Sequence, residues 1–188
     1  MKNSSRFIVV TGGPGSGKTT LIEALRASGF ATSPEAGRGI IQDQQAIDGP
    51  ALPWRNPGLF AELMLSWELR SYSAAKAKSG PVFFDRGIPD TVGYLRLSGL
   101  AVPAHMLEAA RQHRYRPQIF ITPPWPDIFK QDAERRQTWE EAERTHAVMV
   151  ETYSGFGYEL VTLPRAPVGG RVRFILAQIG VSAPQTCP

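Results

Sequence analysis

Short runs of apolar and β-branched residues recur along the chain, and each run stops at or soon before a glycine or a proline. Such runs are typical of buried strands in a parallel sheet. The run Phe7–Thr11 leads directly into a pair of glycines, whereas the run over 30–33 is weaker. The pattern predicts five strands, over 7–11, 30–33, 81–85, 118–122 and 158–163.

Between these runs, apolar positions recur with helical spacing. Leu59, Leu63 and Trp67 form one such stripe, which is the pattern of a helix with one face against a core. We predict helices over 19–28, 57–78, 138–154 and 168–179, and a loop over 49–57 where three prolines and a glycine interrupt the pattern. Strands that alternate with helices predict an α/β fold, with a parallel sheet covered by helices on both faces.

The segment after the first predicted strand reads Gly-Gly-Pro-Gly-Ser-Gly-Lys-Thr and matches the P-loop pattern completely. In that pattern backbone N–H groups surround a phosphate, and the following helix adds its positive end. Lys18 can reach the β- and γ-phosphates, and the hydroxyl of Thr19 can bind magnesium. We therefore predict a site for ATP and Mg²⁺. The predicted nucleotide contacts are Gly12, Gly13, Pro14, Gly15, Ser16, Gly17, Lys18, Thr19 and Thr20.

Charged residues follow the second and third predicted strands. Asp85 ends a strand, where a carboxylate can hold magnesium beside a P-loop, and the adjacent Arg86 can clamp a phosphate. Glu35 lies in a loop of the kind that lines the ligand crevice of α/β sheets, where it can accept a proton from an attacking hydroxyl. The alternatives are a turn residue for Asp85 and a helix-dipole partner for Glu35. Arg38 follows Glu35 on a short predicted helix.

Two arginines follow the fourth predicted strand, Arg135 and Arg136 in the charged segment 132–136. Arginines on a closing segment, or lid, can stabilise the charge of a phosphoryl group in transfer. A solvated basic patch is the alternative interpretation. The spacing does not distinguish which of the two arginines would act.

Composition narrows the range of partners and locations. The 188 residues fit one domain, over 1–188, and the net charge of +4 lacks the dense basic stripe of a nucleic-acid-binding protein. No apolar run approaches the roughly 18–20 residues that span a bilayer. The single cysteine, Cys187, excludes an internal disulfide. We expect a cytoplasmic protein that binds neither membranes nor nucleic acid.

Taken in order along the chain, these features resemble the P-loop kinases of the nucleoside and nucleotide kinase type. More narrowly, the chain is similar to small predicted ATPases grouped with the nicotinamide riboside kinase domain. The resemblance implies the strand order 2-3-1-4-5, with Glu35 and Asp85 flanking the phosphoryl-transfer site. It also implies that the loop 163–167 lies against the adenine base. Where deoxynucleoside kinases have Glu-Pro and Glu- or Asp-Arg-Ser, this chain has Glu35-Ala36 and Asp85-Arg86-Gly87.

The predicted function is ATP-dependent transfer of a phosphoryl group to a hydroxyl of a small-molecule acceptor. Four aromatic residues are candidates for the acceptor pocket or for the core: Trp54, Phe60, Trp67 and Tyr94. The alternative is a regulatory ATPase that acts as a switch through nucleotide hydrolysis. A guanine-specific switch is disfavoured because no Asn-Lys-x-Asp sequence follows the fourth strand. The weak positive charge disfavours a polynucleotide kinase.

Overall fold

The structure is a computed structural model that describes residues 3–129 and 138–181. Five parallel strands form one sheet in the order β2-β3-β1-β4-β5, which confirms the predicted order. Each predicted strand is present within about one residue of its predicted bounds. The strands are β1 (Phe7–Gly12), β2 (Ala31–Ser33), β3 (Val82–Asp85), β4 (Gln118–Thr122) and β5 (Glu159–Thr162).

Helices connect the strands and cover both faces of the sheet. The four long helices predicted from apolar spacing are confirmed as α1, α3, α6 and α7, and the short predicted helix after Glu35 is α2. The helices α4 and α5 were not predicted. The helices are α1 (Lys18–Ala27), α2 (Ala36–Ala46), α3 (Pro57–Ala75), α4 (Ile88–Leu97), α5 (Ala104–Gln112), α6 (Trp139–Gly155) and α7 (Val168–Ile179).

The central strand β1 is buried along its whole length and supplies both layers of the core. Because successive side chains of a strand point to opposite faces, Phe7 and Val9 pack in one cluster and Ile8 and Val10 in the other. The first cluster includes residues of α3, α4, α5 and α6, and the second includes residues of α1 and α7. A strand that must be apolar on both faces explains the uninterrupted apolar run in the sequence.

The parallel register brings the ends of neighbouring strands to one edge of the sheet. Val10 near the end of β1 pairs with Asp85 on one side and with Phe120 on the other. The loops after β1 and β3 therefore begin side by side, at the edge where open α/β sheets bind ligands. At the opposite edge, Gly80 and Gly157 form left-handed turns, and within residues 3–129 and 138–181 no atom beyond their chain neighbours lies within 4 Å of where a Cβ would stand.

Among the described helices, none is both long enough and apolar enough to cross a bilayer.

Candidate active site

The P-loop between β1 and α1 is held in shape by hydroxyl groups beneath it. The Ser16 Oγ atom lies 2.7 Å from the Gly13 carbonyl oxygen and 2.7 Å from Thr122 Oγ1, which itself lies 3.1 Å from the Thr11 carbonyl oxygen. The next helix begins after Gly17 without a side-chain cap. The first N–H groups of α1 thus lack a capping side chain, and such N–H groups favour an anion at this position.

Lys18 lies inside the curve of this loop. Its side chain is buried, and Nζ donates hydrogen bonds to the carbonyl oxygens of Gly12, at 2.9 Å, and Gly13, at 2.7 Å. Thr19 and Thr20, one and two residues further along α1, are exposed. The predicted phosphate-binding ammonium and the predicted magnesium-binding hydroxyl therefore both stand at the start of α1.

The loop packs closely against helix α6. A Cβ atom built on Gly13 would lie 2.6 Å from the carbonyl oxygen of Ala142, a distance that no real side chain tolerates. Only a glycine at this position lets the backbone of α6 approach the P-loop so closely.

A residue that sequence reasoning missed, Arg171 on α7, supports the loop from the other side. Its Nη1 donates to the carbonyl oxygen of Ser16 at 3.1 Å, and Nη2 donates to that of Gly17 at 3.2 Å. The guanidinium also lies 5.6 Å from the ring centroid of Trp125, within the range of a cation–π contact. Burial lowers the pKa of Arg171 from its usual value. Nothing in the spacing of the sequence marks this residue.

Arg86 connects Glu35 to the P-loop. Its backbone has φ 76°, an uncommon left-handed conformation for a residue with a side chain. Its Nε donates to Glu35 Oε1 at 3.2 Å, and its Nη1 donates to the Gly12 carbonyl oxygen at 3.2 Å. Glu35, Arg86 and the P-loop, which are far apart in sequence, thus meet at one point.

The electrostatic environment keeps Arg86 a permanent cation. Burial by itself lowers the pKa of Arg86, but the neighbouring carboxylates of Glu35, Asp90 and Asp85 raise it above its usual value. The Glu35 side chain is only 12% exposed. An ion pair with so little exposure is screened less by salt than one on the surface.

Asp90 on α4 is a further residue that sequence reasoning missed, and it orders this part of the site. It accepts hydrogen bonds from the Thr11 hydroxyl at 2.5 Å, the Tyr153 hydroxyl at 2.5 Å and the Gly87 N–H at 2.9 Å. Arg86, which precedes Asp90 by four residues, donates a hydrogen bond from Nη1 to Asp90 Oδ1 at 3.3 Å. Arg86 precedes α4 and has a left-handed backbone, so this contact does not come from the regular side-chain spacing of a helix.

Asp85 is buried at the end of β3 and pairs with Val10 of β1, the strand that leads into the P-loop. Its carboxylate and the Thr19 hydroxyl are oxygen ligands of the kind that Mg²⁺ prefers. In residues 3–129 and 138–181, no group of three or more acidic, histidine or cysteine side chains is arranged to hold a metal. Few protein ligands, completed by nucleotide phosphates, are the usual way of binding Mg²⁺, so the donor set fits this ion.

A cleft of about 740 Å³ opens beside the Glu35–Arg86 pair. Three of the four aromatic candidates, Trp54, Phe60 and Tyr94, line it. Phe60 is also buried in the core cluster with α2. Trp67 packs in that cluster, where it approaches Gly39.

Comparison with known proteins gives the family of this chain. One family model, described as an AAA domain, matches residues 7–171. The chain belongs to this AAA domain family. No curated protein matches the sequence.

Solved structures share the fold of this AAA domain. A NadR protein in complex with NR has a TM-score of 0.68 at 20% identity, and a deoxyadenosine kinase from M. mycoides with bound dATP has 0.64 at 14%. The alignments cover 98% and 93% of this chain, and 52% and 99% of those chains. The AAA domain therefore spans about half of the NadR chain. The predicted resemblance to P-loop kinase-like proteins is confirmed.

The departure from the kinase pattern at Gly87 has a structural reason in this AAA domain. A Cβ atom on Gly87 would lie 3.1 Å from two ring carbons of Tyr115 and 3.2 Å from its hydroxyl oxygen. The Tyr115 hydroxyl lies 3.2 Å from the N–H of Ile88, the first residue of α4. A serine side chain at this position would require the Tyr115 ring to move by a few tenths of an ångström.

The predicted lid arginines Arg135 and Arg136 lie outside the described residues of the AAA domain. The loop 163–167, for which the resemblance implies a contact with adenine, is described. Its Arg165 donates a hydrogen bond from Nη2 to the carbonyl oxygen of Pro124 at 2.8 Å. This bond ties the loop to the segment that follows β4, next to Trp125.

Proposed function

We propose that this AAA domain is an ATP-dependent phosphotransferase that moves the γ-phosphoryl group to a hydroxyl of a small, nucleoside-like acceptor. The observation that carries the proposal is the contact of Arg86 with both Glu35 and Gly12. It places a carboxylate and a fixed cation where a P-loop meets a cleft. A protein that only bound nucleotide would not need a deep cleft with a carboxylate at this point.

In this proposal, the backbone of the P-loop, the start of α1 and Lys18 bind the β- and γ-phosphates. Lys18 already lies inside the loop, so a small movement of its ammonium from carbonyl oxygens to phosphate oxygens completes the site. Thr19 and Asp85 would hold Mg²⁺, which supplies charge neutralisation for the phosphates when bound.

Arg86 has two tasks in the proposed reaction. Its charge stabilises the negative charge that develops on the transferring phosphoryl group. Its bond to Glu35 also keeps that carboxylate ionised and oriented, because a nearby cation favours the charged form of an acid. Glu35 then orients the acceptor hydroxyl and accepts its proton as the new P–O bond forms.

The acceptor class rests on the cleft and on the relatives. The aromatic walls of the cleft suit a planar ring, because aromatic side chains stack against planar groups. The structural neighbours are a NadR protein bound to NR and a deoxyadenosine kinase. A nucleoside, with a planar base and a free hydroxyl, combines both features.

Transfer of labelled phosphate from ATP tests the proposal. The purified protein is incubated with [γ-³²P]ATP, Mg²⁺ and a panel of nucleosides, sugars and other hydroxyl compounds, and the products are separated by chromatography. We expect one labelled, stoichiometric product, which is lost with Lys18→Ala. Release of free phosphate that is independent of every acceptor would instead identify a nucleotide-hydrolysing switch.

A further inference from the structure

The side of α3 that faces the cleft carries two apolar residues followed by an acidic one. Phe60, Met64 and Glu68 are spaced four residues apart and all line the cleft. Glu68 is only 3% exposed. Among the described residues, no hydrogen-bond partner contacts its Oε2 atom. An acidic side chain therefore lies in a position where helical spacing alone would favour another apolar residue.

The contrast with Asp90 shows why Glu68 is unusual. Both are buried acids at the same cleft, but both carboxylate oxygens of Asp90 accept hydrogen bonds from the protein. Asp90 thus has a complete structural role. A buried oxygen without a partner is costly, and a methionine or leucine would fill the position of Glu68 without that cost. The arrangement indicates a partner that comes from outside the chain.

The charges around Glu68 favour its neutral form. Burial first, and then the carboxylates of Asp90, Asp85 and Glu35, raise the pKa of Glu68 well above its usual value, while Arg86 acts in the opposite direction. Arg86 is already hydrogen-bonded to Glu35 and Asp90. A buried acid without a cationic partner of its own takes up a proton rather than remain charged. A neutral carboxyl group has an O–H donor as well as an acceptor oxygen.

The same charges restrict what can enter the cleft. Even without the neutral Glu68, its described acidic residues, Glu35, Asp90 and Glu141, outnumber its basic residues, Arg38 and Arg86. An anionic acceptor would meet a negative field in a poorly solvated space, where like charges repel strongly. An uncharged acceptor with a ring nitrogen, carbonyl or hydroxyl oxygen would instead meet a hydrogen-bond donor.

We propose that Glu68 is a specificity-determining residue of the acceptor cleft, which hydrogen-bonds an uncharged acceptor through its carboxyl group, while the other acidic residues of the cleft disfavour anionic acceptors. The inference rests on the proposed function, because it treats the cleft as the acceptor site. It assigns to Glu68 the recognition of the acceptor and not the transfer of phosphate.

Binding measurements with three probes test this proposal on the whole chain. Deoxyadenosine is uncharged, deoxyadenosine 5′-monophosphate is anionic, and nicotinamide riboside is cationic. Each is titrated by calorimetry into protein saturated with AMP-PNP and Mg²⁺. We expect the wild-type protein to bind deoxyadenosine at least about 10-fold more tightly than its monophosphate, because the added charge opposes entry.

Two substitutions separate hydrogen bonding from shape. Glu68→Gln keeps the shape, the neutrality and a donor, so its affinity for deoxyadenosine should stay within about 3-fold of wild type. Glu68→Met keeps the volume and removes the polar group, so affinity should fall roughly 10- to 100-fold, as expected when a hydrogen bond is lost. In transfer assays this loss should appear in KM for the acceptor while kcat changes little.

The matched control is Glu62→Met on the same helix. Glu62 is about half exposed and pairs with His105 on the surface, so its replacement should leave the affinity for all three probes unchanged. AMP-PNP binding, measured alone, should be equal in every variant. Circular dichroism checks that Glu68→Met is folded, and the comparison of probes in the wild-type protein does not depend on any substitution.

Several outcomes would overturn the proposal. One is equal affinity of Glu68→Met and wild type for deoxyadenosine, and another is equal affinity of the wild-type protein for the nucleoside and its monophosphate. Preference for nicotinamide riboside, lost in Glu68→Gln, would show that Glu68 acts as a carboxylate towards a cation. If no riboside binds, the inference fails, yet phosphate transfer to another acceptor would leave the proposed function standing. Riboside binding that depends on Glu68, without transfer of phosphate to any acceptor, would support the inference and contradict the proposed function.

Discussion

At the scale of single residues, the site depends on acids whose surroundings give them different properties. Glu35 is held beside Arg86 by a hydrogen bond of 3.2 Å, which orients its carboxylate. Glu68 lies in the same cleft with its Oε2 atom away from any partner among the described residues. One acid is thus suited to accept a proton and the other to carry one.

The replacement Glu35→Gln should isolate the transfer step. The amide keeps the shape of the side chain and an oxygen that can accept from Arg86, but it cannot act as a base. We expect transfer to the acceptor to slow by about 10²- to 10⁴-fold while ATP affinity stays near that of wild type. Single-turnover kinetics and calorimetry measure the two quantities.

Asp43→Asn serves as the control for this experiment, since Asp43 is an exposed acid on α2, the helix that follows Glu35. It should behave as wild type. Undiminished transfer by the Glu35→Gln variant would remove Glu35 from the mechanism.

The replacement Glu68→Gln should change how stability depends on pH. The pKa of Glu68 is raised in the folded state above its ordinary value of 4.5. Its contribution to stability is therefore complete below that value and is lost as the pH rises towards the folded-state pKa. The glutamine has no such loss, so the variant should gain stability relative to wild type as the pH rises above the ordinary value of 4.5.

Urea unfolding at a series of pH values measures this difference. A constant difference in free energy of unfolding between the two proteins across the series would show that Glu68 has the same pKa in the folded and unfolded states.

At the scale of elements, the P-loop is held between two helices that lie far from it in sequence. Helix α6 approaches Gly13 so closely that no side chain fits between them. Helix α7 reaches the loop through Arg171, which donates to the carbonyl oxygens of Ser16 and Gly17. The shape of the nucleotide site is therefore set by tertiary packing as well as by the loop's own sequence.

The replacement Arg171→Ala should loosen the loop from α7. Hydrogen bonds from a charged group contribute about 1.5–3 kcal/mol, so the free energy of unfolding should fall by about that amount. ATP affinity should fall as well, because the loop loses part of its preorganised shape. Arg173→Ala is the matched control, since Arg173 is exposed on the same helix. Equal stability and ATP affinity in the two variants would contradict this role.

The replacement Gly13→Ala should force α6 away from the loop. The added methyl group would lie 2.6 Å from the Ala142 carbonyl oxygen, and such overpacking costs about 1–3 kcal/mol. Gly155→Ala is the comparison within α6, because in the described part of the chain no atom outside its own turn of helix lies within 4 Å of its Cβ position. There the change should be neutral or stabilise by up to about 1 kcal/mol. Thermal and urea unfolding distinguish these results, and a neutral Gly13→Ala would contradict the packing described.

At the scale of the whole molecule, nucleotide and acceptor are expected to bind side by side at one edge of a single sheet. A ligand that binds only the folded state stabilises it in proportion to the logarithm of its concentration. At 100 times its dissociation constant, AMP-PNP with Mg²⁺ should add about 2.7 kcal/mol. For a chain of this size the melting temperature should rise by roughly 5–10 °C.

Differential scanning fluorimetry measures this shift, with Lys18→Ala as the variant that should not respond. A second increment is expected when the true acceptor is added to the AMP-PNP complex. A full response from Lys18→Ala would contradict the P-loop assignment.

Much of this architecture could be predicted from the sequence, because buried parallel strands are uniformly apolar and the P-loop pattern has a strict spacing. Helix α4 escaped prediction because Pro89 and Gly93 interrupt its pattern, and α5 because it is short. Asp90 was missed along with its helix. Glu68 could have been noticed in the sequence, because it follows Phe60 and Met64 at helical spacing. Arg171 could not, because it contacts Gly17 across 154 residues and no local pattern encodes that contact.

The turns at the edge of the sheet opposite the site have a practical consequence. Gly80 and Gly157 each precede a strand, and among the described residues no atom beyond their chain neighbours lies within 4 Å of either Cβ position. Such turns accept insertions and new termini. A pair of fluorescent labels, or a circular permutation with its ends at one of these turns, would report on ligand-induced movement without altering any residue that binds the ligand. Labels at these turns would thus convert the protein into a sensor of ligand binding while the proposed site at the other edge of the sheet stays unmodified.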